Sequence, residues 1–414
     1  MAKIGRHLRS AGYLICGLVL IGSILGAENG ETATFYVATT GNDANPGTEA
    51  APFRTLTKGV KGLKPGDTLY VKSGTYAESL NKNIPGGTSW SNPVTVAAYP
   101  GHTVTLRPTS GAYVASFAAA TRTYIELRGL NLDAVNVSHG VGVASGSTTG
   151  ASHHIRIRDC EIKNAKLHGA LVQPGSGYNE FINVNVHDNG TTDFHHGLYI
   201  KSSNNLVEQS LVYRNAGWGV HVYWSEVLKV SVNNNIIRNN KIYQNARLGQ
   251  RGAGIILSSG SGNMAYNNLV WGNNGGIQVK YSSVSNTKVY NNTVYANKSF
   301  GIDIASASNT SVRNNIVYGN IGPAISIGSS GTLLSNNLVG INPKFMNAAA
   351  NDFRLQASSP AINTGVTLSE VRMDYARVPR PQGGSYDIGG YEYKGSTSSA
   401  LMTAPINLRI VDTQ

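Results

Sequence analysis

From Ile162 to Val339 the chain repeats one pattern of apolar and polar positions. An apolar residue precedes a short polar turn at Ile162, Val186, Val212, Ile242, Val270, Val294, Val317 and Val339, at intervals of 24, 26, 30, 28, 24, 23 and 22 residues. Two kinds of segment recur within each interval. One is Asn-rich, as in Asn267-Asn268-Leu269-Val270-Trp271-Gly272-Asn273; the other is led by Gly and alternates, as in Gly276-Ile277-Gln278-Val279-Lys280 and Gly301-Ile302-Asp303-Ile304. A period of two directs Ile277 and Val279 to a core, and Gln278 and Lys280 outward. Asn tolerates the left-handed backbone that tight corners need, and stacked side-chain amides can satisfy one another inside a coil. No 3.6-residue apolar periodicity survives across a repeat, and 48 Gly would punctuate any helix. The pattern predicts an all-β chain, a right-handed parallel β-helix in which each turn buries the apolar face of the next.

A solenoid grows linearly, so 414 residues need not divide into several domains. Net charge is +12 and the isoelectric point about 9.5, which favours anionic partners such as acidic polysaccharide. Only Cys16 and Cys160 occur, too few for a disulfide framework or zinc site; Cys160 reads as a buried thiol. Residues 1–27 read as an export signal: Lys3, Arg6 and Arg9 precede an apolar run from Tyr13 to Leu25, with cleavage near Ala27 or retention as an anchor. The predicted location is secreted, cell-surface or periplasmic. Phe35-Tyr36-Val37 is a strand, Thr55 to Leu63 a helix, and Thr68 to Val71 and Gly74 to Tyr76 are strands.

The stretch FYVATTGNDANPGTEAAPFRTLTKGVKGLKPGDTLYVKSGTY (35–76) resembles the opening of secreted right-handed parallel β-helix proteins of the pectate-lyase-like superfamily, which holds polysaccharide lyases and alginate C5-epimerases. The resemblance implies that the helix caps the N-terminal end of the coil, where an open edge would otherwise be exposed. Asn342-Pro343-Lys344-Phe345, Asp352-Phe353-Arg354-Leu355 and RVPRPQGGSYDIGGYEY (377–393) resemble the closing segment of such proteins, with Asp374, Asp387 and Arg380 as cap structure. The β-helix domain is thus expected over 34–393. Residues 394–414 read as a flexible tail or truncated linker, although Ala404 to Val411 resembles the first strand of a fibronectin-type module.

Aligning the repeats on the Gly-led strand gives two outward columns. The first runs Leu171, Tyr199, His221, Ile256, Gln278, Asp303, Ser326; the second runs Gln173, Lys201, Tyr223, Ser258, Lys280, Ala305, Gly328. With neighbouring turns about 4.8 Å apart, Tyr199, Lys201, His221 and Tyr223 form one compact patch. Longer turns flank it: the insert 191–196, which contains His195 and His196; residues 224–235; and residues 246–251. Opening a uronate polymer requires removal of the C5 proton and neutralisation of the adjacent carboxylate. The residue types suit that task. His221 or Lys201 is the candidate base and Tyr199 or Tyr223 the acid. Arg247, Arg251 and Lys280 would hold carboxylates, Trp218 and Trp224 would stack on sugar rings, and His196 would contact substrate.

The calcium-binding Asp cluster of the calcium-dependent pectate lyases is not recognisable, so calcium stays possible with no site assigned and no cofactor is predicted. The sequence also lacks the Asp pair a pectin hydrolase would need. The resulting expectation is a polysaccharide lyase or C5-epimerase acting on an acidic, uronate-containing polysaccharide. The alternative is a non-catalytic glycan-binding surface protein using the same basic, aromatic face. Either is expected to be a monomer, with no nucleic-acid partner and no membrane contact beyond the signal segment.

Overall fold

Alternating segments become strands and Asn-rich corners become bends. The computed structural model describes residues 32–81, 84–117, 122–143, 151–223, 232–249 and 251–395; residues 1–31, read from the sequence mostly as an export signal, and residues 396–414 of the expected tail lie outside them. All the described residues belong to a single compact unit. The chain winds as a right-handed solenoid through three parallel sheets, here A, B and C in the order visited, with twelve, eleven and ten strands among the described residues. One turn takes Ile236–Arg238 into sheet A, Lys241–Tyr243 into sheet B and Ala253–Leu257 into sheet C, and Met264–Tyr266 then begins the next.

The repeated apolar position forms one unbroken column of sheet B, from Ile162 through Val186, Val212, Ile242, Val270, Val294 and Val317 to Val339. All but the last are fully buried. Sheet A contributes Phe181, Val207 and Ile237 to the same core, and sheet C contributes pairs such as Leu198 with Ile200 and Ile277 with Val279. Each such side chain contributes roughly 1.5–3 kcal/mol by leaving water. On the outer face of sheet B, His187, Tyr213, Tyr243 and Trp271 stack face to face at 4.7, 4.8 and 4.6 Å.

Buried asparagines run along all three corners. At the A–B corner, Asn240, Asn268, Asn292 and Asn315 are stacked one turn apart; Asn189, Asn215, Asn245 and Asn273 do the same at the B–C corner, and Asn179, Asn205, Asn235 and Asn263 at the C–A corner. Asn292 shows how a central member of the A–B ladder works. Asn292 Oδ1 accepts from Asn268 N (2.9 Å) and Asn268 Nδ2 (3.0 Å), while its own Nδ2 donates to Ala265 O (2.9 Å) and Asn315 Oδ1 (3.0 Å). Many residues preceding a ladder asparagine are left-handed, as at Asn267, Asn291 and Asn314. Asn292→Ala orphans the Asn268 N–H and the Ala265 carbonyl in a fully buried corner, so it should destabilise the coil by about 2–4 kcal/mol. Urea unfolding monitored by circular dichroism would show this as a lower midpoint.

The helix predicted over 55–63 is shorter, Leu56–Val60, with Thr55 Oγ1 accepting from Lys58 N at its start. Leu56 and Val60 are buried in the main core. After the last turn the chain folds back along the outside of the coil. Phe345, Phe353 and Ile388 pack with Leu269, Ile316 and Leu338 on the sheet-B side, and Leu368, Val371 and Tyr386 with Tyr266 and Tyr290 on the sheet-A side. Asp374 accepts from Val378 N and Glu392 N, and Asp387 from Asn363 N and Tyr393 N. These carboxylates hold the segment's own loops. Among the described residues no helix is long and apolar enough to cross a membrane.

Candidate functional site

Sheet C presents the two outward columns in register. Leu171, Tyr199, His221, Ile256, Gln278, Asp303 and Ser326 pair across successive strands. The backbone bonds from Lys201 N to Val172 O, Tyr223 N to Ile200 O and Ser258 N to Val222 O carry the second column alongside. The Tyr199 and His221 rings stack at 5.0 Å, His221 and Tyr223 at 5.4 Å, and Lys201 Nζ lies 4.5 Å from the Tyr199 ring centre. Tyr199, Lys201, His221 and Tyr223 therefore share one face of the coil. Tyr223 also meets Tyr281, whose ring lies 5.6 Å from Lys280 Nζ, extending the patch two turns on.

A third column, three residues ahead of the first, closes over this face. Tyr113, His139, His168, His196 and Trp218 follow one another with ring centres 4.9, 5.4, 5.1 and 5.2 Å apart. Main-chain donors orient two of the rings: His168 N donates to His139 Nδ1 and His196 N to His168 Nδ1. Trp218 and His196 crowd His221, whose exposure falls to 9 %.

His221 is thus less open than the sequence suggests, and both its ring nitrogens are engaged. Ser258 Oγ donates to Val222 O at 3.0 Å, so at 3.2 Å it accepts from His221 Nε2–H. His221 Nδ1 must then accept from His196 Nε2–H, at 3.0 Å. This leaves the lone pair of His196 on Nδ1, buried and without a hydrogen-bond partner. A Cβ on Gly217 would stand 2.7 Å from that nitrogen, so only glycine fits there. Ser258 was placed in the second column by the alternation, but its service to His221 was not foreseen.

Burial sets the protonation of the cluster. It lowers His139 to about 4, His221 to about 3 and His168 to about 2, and holds His196 well below its ordinary value, with neighbouring histidines or Lys201 adding repulsion. The same desolvation lowers Lys201 and raises Tyr199. The buried imidazoles are neutral when folded and take up protons on unfolding, so their contribution is intact above the unfolded value of 6.5 and lost as pH falls towards the folded values. Each ring should cost up to about 1.4 kcal/mol per pH unit in that window. The urea midpoint should fall between pH 6.5 and 4, less steeply in His139→Gln.

The remaining candidates are spread more widely. Trp218 packs against His196 and His221 with its Nε1 buried and unpartnered, and His196 lies beneath the face rather than on it. Arg247, expected to hold a carboxylate, donates instead to Arg214 O (3.0 Å) and Gly190 O (2.7 Å), clipping two earlier turns together. Arg251 is exposed and lies 5.7 Å from the ring of Phe194, itself 60 % exposed. His195 accepts from Thr191 N and Thr192 N and so organises the insert. Trp224 lies outside the described residues. The two outward columns offer one carboxylate, Asp303, held by Gln278 Nε2, and among the described residues no three His, Cys, Asp or Glu side chains are placed to hold a metal ion.

Residues 35–196 match the family described as Pel9A-like, right handed beta helix region, and residues 175–339 match the right handed beta helix region family. The solved pectate lyase Pel9A superposes with a TM-score of 0.67 at 18% identity, covering 87% of this chain and 96% of that one. XylC in complex with xylose gives 0.60 at 10% identity over 87% and 99%, and the alginate lyase from Paenibacillus sp. str. FPU-7 gives 0.55 at 17% over 74% and 99%. An uncharacterized protein of Bacillus subtilis (strain 168), YwoF, is 31% identical over 144 residues, which span 34% of this chain and 30% of that relative's length. With its three-sheet coil, its buried corner asparagines and these two matches, the chain is a right-handed parallel β-helix protein whose residues 35–196 are similar to the Pel9A-like family and whose fold is that of the solved pectate lyase.

Proposed function

We propose that the protein acts on an acidic, uronate-containing polysaccharide by removing the C5 proton, as a lyase or a C5-epimerase. The observation that carries this reading is the pairing of Lys201 with Tyr199 on the outer face of sheet C, their protonation equilibria pushed in opposite directions by one partly buried environment. A lowered lysine is a better-populated neutral base, and a raised phenol keeps the proton it must donate. His221 is the poorer base because neither ring nitrogen is available; its stacking holds Tyr199 and Tyr223 in line.

In elimination the Lys201 amine takes the C5 proton. The C5–H electrons form the C4=C5 double bond as the C4–O bond breaks, and Tyr199 or Tyr223 delivers a proton to the departing oxygen. In epimerisation the same abstraction is followed by protonation at C5 from the opposite face. Charge developing on the sugar carboxylate is met by the tyrosine hydroxyls and by Lys280 and Arg251 at the margins. The net charge of +12 favours a polyanionic substrate, and two of the structural neighbours are pectate and alginate lyases by name. An export signal would bring such a protein to extracellular polysaccharide.

Incubation with alginate, pectate and glycosaminoglycans tests the proposal. Elimination is expected to raise the ultraviolet absorbance of unsaturated uronate, and epimerisation to exchange the C5 proton with solvent deuterium, followed by NMR. Binding without either change would replace this reading with that of a non-catalytic glycan-binding surface protein.

A further inference from the structure

Across the coil from sheet C, the A–B corner carries a second prepared surface. Left-handed residues line up one turn apart there: Asp159, Asn183, Gln209 and Asn239, then Asn267, Asn291, Asn314 and Asn336. The chain's own C-terminal segment already lies on the later four. Asn267 Nδ2 donates to Met373 O, Asn291 to Asp387 O, Asn314 to Val366 O and Asn336 to Thr364 O, at 2.7–3.0 Å. Corner amides at this spacing thus hold main-chain carbonyls presented to them from separate stretches of the segment. The earlier four line an open cleft of about 650 Å³, completed by Arg158, Glu208, Tyr375 and Arg377.

This cleft carries unmet polar valence. Asn239 is 8 % exposed and its Oδ1 has no hydrogen-bond partner; Arg158 Nε is likewise buried and unpartnered. The acids in the lining are already committed: Asp159 accepts from Asn183 Nδ2 at 2.6 Å, and Glu208 sits between Arg238 at 3.0 Å and Arg377 at 3.6 Å. Counting Arg158 and Arg377 in the lining and Arg238 behind Glu208, three guanidiniums stand against two carboxylates, a balance of one positive charge beside the ring of Tyr375.

We infer that this cleft is a second, non-catalytic binding site for acidic polysaccharide. A glycan would run along the coil axis with its carboxylates at Arg158 and Arg377, its hydroxyls on the corner amides and a sugar ring against Tyr375. Turns about 4.8 Å apart repeat these contacts at close to the rise of one pyranose residue in an extended chain. The turns that carry Asp159 through Asn239 also carry Leu171 through Ile256, so a long chain held here is retained near the catalytic face. The ligand class rests on the proposed function; the site itself rests on the cleft.

The test uses the full chain carrying Lys201→Met, so that polymer is bound and not consumed, with and without Arg158→Ala and Arg377→Glu. Calorimetric titration with polygalacturonate and polyguluronate should show polymer binding weakened about tenfold or more by the two cleft substitutions. In a Lys201 background the same two substitutions should leave turnover of a short oligouronate within about twofold, since a ligand spanning one site gains nothing from the second. An unchanged urea midpoint confirms folding, and exposed Arg377 alone serves if the pair fails that control. Polymer binding indifferent to the cleft overturns the inference. Cleft-dependent binding by a protein with no activity on any acidic glycan upholds this site while removing the catalytic reading.

Discussion

Arg380→Met is expected to cost about 3–5 kcal/mol and to loosen the C-terminal segment from the side of the coil. Arg380 and Glu392 are both fully buried and meet at 2.6 Å. The guanidinium also donates to Asp387 O (3.1 Å), Gly389 O (2.8 Å) and Asn267 Oδ1 (3.2 Å), the last belonging to the coil itself. Glu392 in turn accepts from Asp387 N and Gln382 N. Methionine fills much of the volume but leaves the Glu392 carboxylate charged, buried and without its cation. Hydrogen exchange should accelerate first at the amides of Asn363, Asp387, Gly389 and Glu392, with the central strands of the coil protected for longer. The double variant Arg380→Met with Glu392→Leu should recover part of the loss, because the penalty comes from the stranded charge more than from the missing bond. Equal destabilisation in single and double variants would mean that packing, not the ion pair, fastens the segment.

Much of the coil was legible because two constraints act together. A period near one turn with an alternation of two leaves a single register that buries the column from Ile162 to Val317, and the same register aligns Tyr199 with His221 and Lys201 with Tyr223. What stayed hidden depended on depth and on contacts between distant turns. His221 is covered by His196 and Trp218, residues just before the Gly-led strand where alternation no longer says which way a side chain points. Arg247 reaches Gly190 O across two turns through a corner, and no local pattern announces such a contact. The second cleft exists because the C-terminal segment doubles back, placing Tyr375 and Arg377 beside Asn183, nearly two hundred residues earlier. The Asn-rich corners did announce themselves, since an amide both tolerates the left-handed bend and satisfies its counterpart one turn away.

Lys201→Met should lower kcat/KM on the responsive polysaccharide by about 10²–10⁴, the usual range for loss of a general base, while leaving the urea midpoint close to that of the parent. The side chain lies over the Tyr199 ring on the outside of the coil, and its aliphatic length is kept by methionine. Lys201→Arg preserves the charge and removes the base, so it should be nearly as inactive; substantial activity in the arginine variant would reassign residue 201 to carboxylate neutralisation. The pH profile provides the sharper discrimination. A base must be neutral to act, and burial places Lys201 below its ordinary 10.5. Activity should therefore rise about tenfold per pH unit on the acid side and level off at a value below 10.5, without the inflection near 6.5 that a solvent-exposed histidine base would give. It should fall again only at strongly alkaline pH, where the acid partner is lost, since Tyr199 is raised above its ordinary 10. Tyr199→Phe and Tyr223→Phe identify that partner: the variant in which the alkaline limb disappears along with at least about a hundredfold of the rate has lost the proton donor. An acid limb well below that of a lysine base that vanishes in His221→Gln would move the base to His221, and the buried hydrogen bonds to His196 and Ser258 would then have to open during turnover.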